Sequence, residues 1–367
     1  MGREAMTPGN RLAGLDTLRA WAITWVVLAH LDEHRFVDAS PAAVRLICSH
    51  GSAGVDVFFV LSGFLIGRIL YRELERAGGI GLRNFWWRRW MRTLPAYYAT
   101  LALVALGGVV IPRHTPWEHP WAYLIFLQNY LSIGSSFNWS WSLCVEEQFY
   151  LALPLLLIGA RKLFPGARAV TLVRIVALAA FVVTLSARMH AGATADLSDW
   201  DKYMRELYAV THCRLDGLAI GLFAATLPAF SLQWVTAGAL LVGGFTCWTA
   251  MMLGLGWRPL TENLFATAGT GALLLALLGR PSWMAARFPG AAFVSELSYG
   301  LYLLQPVAFE VTMRALPTTV PSLVRAFAAI AASVVSAYAM RRGLELPALR
   351  LRDRLFIEEP VGATTGG

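Results

Sequence analysis

Apolar residues in this chain gather into long runs, separated by short stretches rich in polar and basic residues. Ten runs, near 17–34, 52–71, 93–112, 142–160, 170–187, 213–228, 232–254, 261–279, 293–313 and 321–340, are long enough as helices to cross a hydrocarbon core of about 30 Å. An eleventh, Trp121 to Leu131, is too short to cross and reads as an aromatic re-entrant or interfacial segment. The pattern predicts an all-α polytopic membrane protein of about ten transmembrane helices. It divides into a first segment 1–16, a transmembrane domain 17–342 and a tail 343–367.

Charge sets the orientation. Placing both termini inside (N-in, C-in) puts about 21 of the 31 Lys and Arg on the inner side and about 10 on the outer. The inner clusters are Arg68 through Arg92, Arg161 through Arg174 and Arg341 through Arg354. The longest outer loop instead carries Asp196, Asp199, Asp201 and Glu206. Counting 121–131 as a span would send Arg161 and Lys162 outside.

Composition agrees with this class: 57% of the residues are hydrophobic, only 15% are charged, and 14 are Trp. Soluble domains carry nearer a quarter charged residues. The net charge of +8 flanks apolar segments and forms no soluble basic patch, which argues against nucleic-acid binding. Cys48, Cys144, Cys213 and Cys247 form no C-x-x-C and no zinc-like spacing with histidine. Cys48 and Cys213 are left open as a loop pair.

Against this apolar background, titratable residues stand out, because they are costly in a bilayer and turn toward cavities or partners. Arg19 and His30 share one run, eleven residues apart. Roughly three helical turns put both on one face, about 16 Å apart. The imidazole is a candidate general base; an interfacial histidine and a helix-start arginine are the plainer alternative. The run from Gly54 to Leu65 carries Asp56 at its start and the small step Ser62-Gly63, which also suits close helix packing.

Phe85 to Pro95 interleaves Arg88, Arg89 and Arg92 with Trp86, Trp87 and Trp90. This fits an aromatic belt with inner-side anchors, or a guanidinium site for an anionic cosubstrate. Asn138 to Tyr150 places Glu146 and Glu147 just inside a span, and a carboxylate near an imidazole could orient it. Arg214-Leu215-Asp216-Gly217 opens another. In the ten-span arrangement His30, Asp56, Glu146 and Arg214 fall in an outer layer, and Arg19, Arg88, Arg89 and Arg92 in an inner one. Trp139, Trp141, Trp200 and Trp257 either stack on sugar faces or anchor the interface.

Taken in order, these blocks resemble the acyltransferase-3 family of integral-membrane acyltransferases, from about Leu15 to Arg342. The resemblance is carried by Gly14-Leu15-Asp16-x-Leu18-Arg19-Ala20 with His30, then Val57 to Leu65, then Arg88-Arg89-x-x-Arg92-x-Leu94-Pro95. It continues through Ser142-Leu143-x-Val145-Glu146-Glu147-Gln148-Phe149-Tyr150, Arg214 to Gly217, and Ser298-Tyr299-Gly300-Leu301-Tyr302-Leu303. It implies transfer of an acyl group, often acetyl, from coenzyme A to a hydroxyl of a carbohydrate or small molecule, with His30 in the catalytic place. Relatives often carry a second histidine just after the Tyr302 block, where this chain has Gln305 followed by Pro306.

The resulting expectation is a cell-membrane O-acyltransferase. Arg88, Arg89 and Arg92 hold the phosphates of acyl-CoA, and the thioester arm passes Arg19 toward His30. Glu146 or Asp56 orients the imidazole, and Arg214 faces the developing oxyanion. Ser62, Glu147 and Tyr302 line the site, with direct transfer and acyl-His30 or acyl-Ser62 intermediates all open. Acyl-CoA enters as cosubstrate, with no permanently bound cofactor and no metal. The acceptor is a cell-envelope carbohydrate, with a macrolide-type small molecule as the alternative. A small-molecule transporter is the competing class, although no internal repeat favours it.

Overall fold

The computed structural model describes residues 13–38, 41–49, 51–110, 117–132, 136–194, 199–227, 267, 270–271 and 289–355. Among them the secondary structure is helical throughout: α1 (Ala13–Glu33), α2 (Ala42–Ser49), α3 (Ala53–Ala77), α4 (Leu82–Val110), α5 (Gln128–Leu131), α6 (Trp141–Leu163), α7 (Ala169–Thr194), α8 (Trp200–Tyr203), α9 (Leu215–Ala224), α10 (Ala291–Ala315), α11 (Ser322–Met340) and α12 (Leu346–Leu355). Four helical segments are long and apolar enough to cross a membrane: Ala53–Ala77, Asn138–Leu163, Ala169–Thr194 and Ser322–Leu355. Helices α1, α4 and α10 run to 21, 29 and 25 residues. The expected span 232–254 lies outside the described residues, as does 261–279 apart from Thr267, Thr270 and Gly271.

Boundaries depart from the apolar runs in instructive places. Helix α4 begins at Leu82, eleven residues before its apolar run, so Arg88, Arg89 and Arg92 sit on the helix itself. Helix α9 is only ten residues long, preceded by a 3-10 turn, Thr211–Cys213. The Trp121–Leu131 stretch folds as a 3-10 turn and the short α5. Helix α3 ends where Gly78 takes φ 69° and its N–H bonds Leu74 O, a left-handed cap that glycine adopts without strain. Helix α11 continues through a π-helical turn, Arg341–Glu345, into α12. Pro347 just beyond lacks the N–H that an α-helical repeat would use there.

Helix α3 is the hub, packed on α1, α6, α7 and α9, and 72% of its apolar stretch is buried against 22% for the Ser322–Leu355 segment. The latter and α7 turn Leu178, Val182, Phe327 and Val335 outward, as lipid-facing helices do. Close crossings are made by small residues. A Cβ on Gly63 would stand 2.1 Å from Leu218 O, and one on Gly221 2.1 Å from Val60 O, so α3 and α9 touch backbone to backbone. Their pairing runs parallel. By contrast Gly51 faces Trp25 and Gly54 faces Ala22, so α1 and α3 are antiparallel. Asp16 meets Ser295 near the start of α1, and His30 meets Gln305 near its end, which makes α1 and α10 parallel.

Candidate active site

Proline shapes the site through the carbonyls it leaves free. Pro154 lies inside α6 and has no N–H for the carbonyl of Tyr150, four residues back. The indole N–H of Trp86 donates to that oxygen instead at 3.1 Å, joining α4 to α6. Trp86 is thus more than an interface anchor. One turn along α4, Arg89 Nη2 donates to Tyr150 Oη at 2.6 Å, with its guanidinium 4.2 Å from the ring centroid.

Around this junction the predicted residues converge. Ser62 Oγ donates to Glu146 Oε1. Thr93 Oγ1 donates to Glu147 Oε1 at 2.9 Å in a buried contact. The positive charges acting on Glu146 are those of Arg89 and Arg19. Those acting on Arg92 are Arg89, Arg19 and Arg341, with Glu345 opposing them. Arg19 also stands 3.7 Å from Asp16, which accepts from Ser295. Four arginines from α1, α4 and the π-helical turn therefore surround one region. Arg92 and Arg88 are exposed on α4. Glu146 belongs with this cationic group, not with the histidine layer in which the sequence placed it.

His30 lies at the other end of α1, with 16% of its side chain exposed. Its Nδ1 is 2.9 Å from Val26 O and 2.9 Å from Gln305 Nε2. Its Nε2 is 3.8 Å from Glu33 Oε2, and Glu33 is 71% exposed. The expected orienting carboxylates are bonded elsewhere. Glu146 holds Ser62, and Asp56 Oδ1 pairs with Arg214 Nη2 at 2.7 Å. Gln305 and Glu33, which the sequence did not put beside His30, are its neighbours. Glu33 is three residues along, a spacing the helix itself supplies, whereas Gln305 lies 275 positions from His30 and no residue count foresees that contact.

Helix α10 joins the two ends. Tyr299 Oη donates to Thr93 O at 2.9 Å, and Tyr302 Oη donates to Trp139 O at 2.6 Å and meets Ser142 Oγ. Gln305 reaches His30. Three residues per step put these side chains about 4.5 Å apart along the axis. A polar stripe thus climbs one flank of α10 from the arginine group to the imidazole.

Arg214 does not face this stripe openly. It is buried against Asp56, and its guanidinium lies 4.8 Å from the Tyr208 ring, 5.3 Å from Trp141 and 5.5 Å from Phe59. A second buried pair, Arg188 Nη2 to Asp216 Oδ2 at 3.0 Å, stands two residues along, with Arg188 Nε donating to Cys213 O at 2.7 Å. Arg188 was not singled out in the sequence, because it reads there as the end of an apolar run. Trp141 packs on Arg214 and Trp139 bonds Leu303 O, so both serve the bundle. Trp257 lies outside the described residues. Cys48, Cys144 and Cys213 are free and buried, which settles the open question of a Cys48–Cys213 link. Among the described residues no cluster of His, Cys, Asp and Glu could hold a metal.

Fold and site together define, over the described residues, an all-helical arrangement with helices long and apolar enough to cross a membrane and a cluster of charged and hydrogen-bonding groups drawn from distant segments. Its lineage is definite. The acyltransferase-3 profile, described as Acyltransferase domain, matches residues 12–342, and the chain belongs to that family. It is 25% identical over 376 residues to the peptidoglycan O-acetyltransferase OatA of Listeria monocytogenes, covering 95% of this chain and 57% of that protein. It is 24% identical over 328 residues to the O-acetyltransferase OatA of Staphylococcus aureus (strain NCTC 8325 / PS 47), covering 82% and 51%. A protein of S. aureus (strain COL), named as a candidate O-acetyltransferase, is 31% identical over 161 residues, 40% of this chain and 25% of its own. The chain spans about half or less of the curated relatives it matches. No solved structure matches it.

Proposed function

We propose that this protein is a membrane-bound O-acyltransferase that moves an acetyl group from acetyl-CoA to a hydroxyl of a cell-envelope carbohydrate. The observation that carries the reading is the polar stripe of α10, which links an arginine cluster at one end to a single imidazole at the other. Arg19, Arg89 and Arg92, with Arg341 beside them, grip the phosphates of the donor, as guanidinium groups do. Arg88 adds to the positive field at the entrance. The thioester arm extends toward His30 over the rise of about 16 Å between Arg19 and that residue. Ser62, Glu146, Glu147 and Tyr302 line its path.

His30 Nε2 then takes the proton of the acceptor hydroxyl as the oxygen attacks the thioester carbonyl. The new C–O bond forms, the C–S bond breaks, and the proton passes to the departing CoA thiolate. Asp56 and Arg214 hold the bundle together. The names of the OatA relatives support the carbohydrate acceptor, and a macrolide-type hydroxyl is the alternative.

The same reading places ten spans in the cell membrane with both termini inside. Helix directions support it: α1 and α10 run parallel, as spans one and nine must, and so do α3 and α9, as spans two and six must. The test is thiol release from acetyl-CoA by purified protein, with and without a peptidoglycan or glycan extract. Acceptor-dependent release should vanish in His30→Ala and fall in Glu146→Gln. Release that persists in His30→Ala moves the chemistry elsewhere, and absence of acyl-CoA binding favours a transporter.

A further inference from the structure

The contacts of His30 make opposite demands on one nitrogen. Val26 O can only accept, so its 2.9 Å contact asks for a proton on Nδ1. Gln305 Nε2, also 2.9 Å from Nδ1, is a donor and asks for a lone pair. Gln305 is fully buried, and its Oε1 has no hydrogen-bond partner. The two ends of an amide have nearly the same shape, and turning it over puts the oxygen opposite Nδ1. That orientation satisfies the ring proton that the backbone carbonyl already requires. Because Val26 O cannot change its role, the helix itself decides between the two arrangements.

We propose that Gln305 is a positioning residue for His30: its amide oxygen, with Val26 O, holds the proton on Nδ1 and leaves Nε2 as the nitrogen that handles the acceptor's proton. Nε2 lies on the side of the exposed Glu33, where an acceptor can arrive. When the ring takes up a second proton at Nε2, the Nδ1 hydrogen bonds are unchanged, so no rearrangement accompanies the transfer. The charged and titratable groups acting on His30 are Glu33, the last residue of α1, and His34 in the turn just after it, while α10 contributes the neutral amide. A neutral acceptor orients the ring without fixing its charge. Relatives that place a histidine here would set a second titrating ring against the first; this chain does not.

The catalytic part of the proposal rests on the acyl-transfer reading; the tautomer part does not, so the experiment reads them separately. Protein labelled with 15N-histidine, with His30→Ala to identify the signal among seven histidines, reports which ring nitrogen carries the proton. We expect the Nδ1–H form for wild-type His30 and loss of that preference in Gln305→Ala. In the thiol-release assay, Gln305→Ala should lower kcat roughly tenfold with the donor KM within about twofold. Gln305→Glu, which keeps an acceptor oxygen and adds charge, should regain turnover and move the acidic limb of the kcat profile to higher pH. An Nε2–H ring in the wild type, or an unchanged tautomer and kcat in Gln305→Ala, overturns the proposal. The Nδ1–H preference lost in Gln305→Ala, in a wild type without turnover, supports the positioning and sinks the transfer reading.

Discussion

Arg214 and Asp56 invite a decisive perturbation, because their sequence suggested chemistry and their surroundings indicate architecture. The pair spans 158 positions, and its side chains are 1% and 4% exposed. Removing one partner leaves the other charge buried without its paired ion, at a cost of about 3–5 kcal/mol. Arg214 also gives up its three aromatic neighbours, so Arg214→Met should fall at the upper end and Asp56→Asn at the lower. An unfolding entropy of about 2.1 cal/mol/K per residue gives roughly 0.8 kcal/mol/K for this chain, so the apparent melting temperature should drop by about 4–6 °C. The double variant Asp56→Leu/Arg214→Met removes both charges and should recover most of that loss, since apolar replacement of a buried pair is often neutral. Thermal unfolding in detergent, followed by size-exclusion fluorescence, measures all three at one scan rate. Turnover per folded molecule should stay within a few fold of wild type. Single variants that keep the wild-type melting profile yet abolish turnover would refute the reasoning and return both residues to the reaction.

Two further outcomes follow from the geometry. Arg89→Lys and Arg92→Ala should each raise the KM for acyl-CoA more than they lower kcat, because a point charge replaces, or nothing replaces, a bidentate grip on phosphate; steady-state kinetics at fixed ionic strength checks this, and a pure kcat loss contradicts the phosphate role. Gly63→Ala should destabilise the α3–α9 crossing by more than about 1 kcal/mol, since its new Cβ meets the Leu218 backbone carbonyl at 2.1 Å. Gly79→Ala, with nothing within 4 Å, is the control, and equal melting temperatures for the two would contradict the close packing.

Legibility followed the range of the interactions. The apolar runs placed α6, α10 and α11 to within about three residues and the starts of α3 and α7 to within about one, because hydropathy is a local property of the chain. The ordered blocks also brought Arg19, His30, Arg89, Glu146 and Tyr302 forward, since each is a costly residue in an apolar setting. The ends of α3 and α7 and the start of α4 were less readable. α4 extends upstream through a tract whose arginines and tryptophans look interfacial, and that tract folds as helix because Trp86 and Arg89 find partners on α6. The split of Ser62-Gly63 into a hydrogen-bonding residue and a packing residue was equally hidden; adjacent helical side chains point about 100° apart, and only the neighbours decide what each one meets.

The sequence by itself determined the class of protein, the apolar helices and the cast of polar residues, all consequences of how each segment partitions between water and hydrocarbon. Tertiary structure decided the partnerships: Gln305 beside His30, Arg341 beside Arg92, Asp56 with Arg214 and Glu146 with Ser62. Such pairings depend on helix direction, rotation and crossing, which arise from small-residue contacts such as Gly63 on Leu218. A few tens of degrees of helix rotation would exchange one set of partners for another while leaving every hydropathy window unchanged.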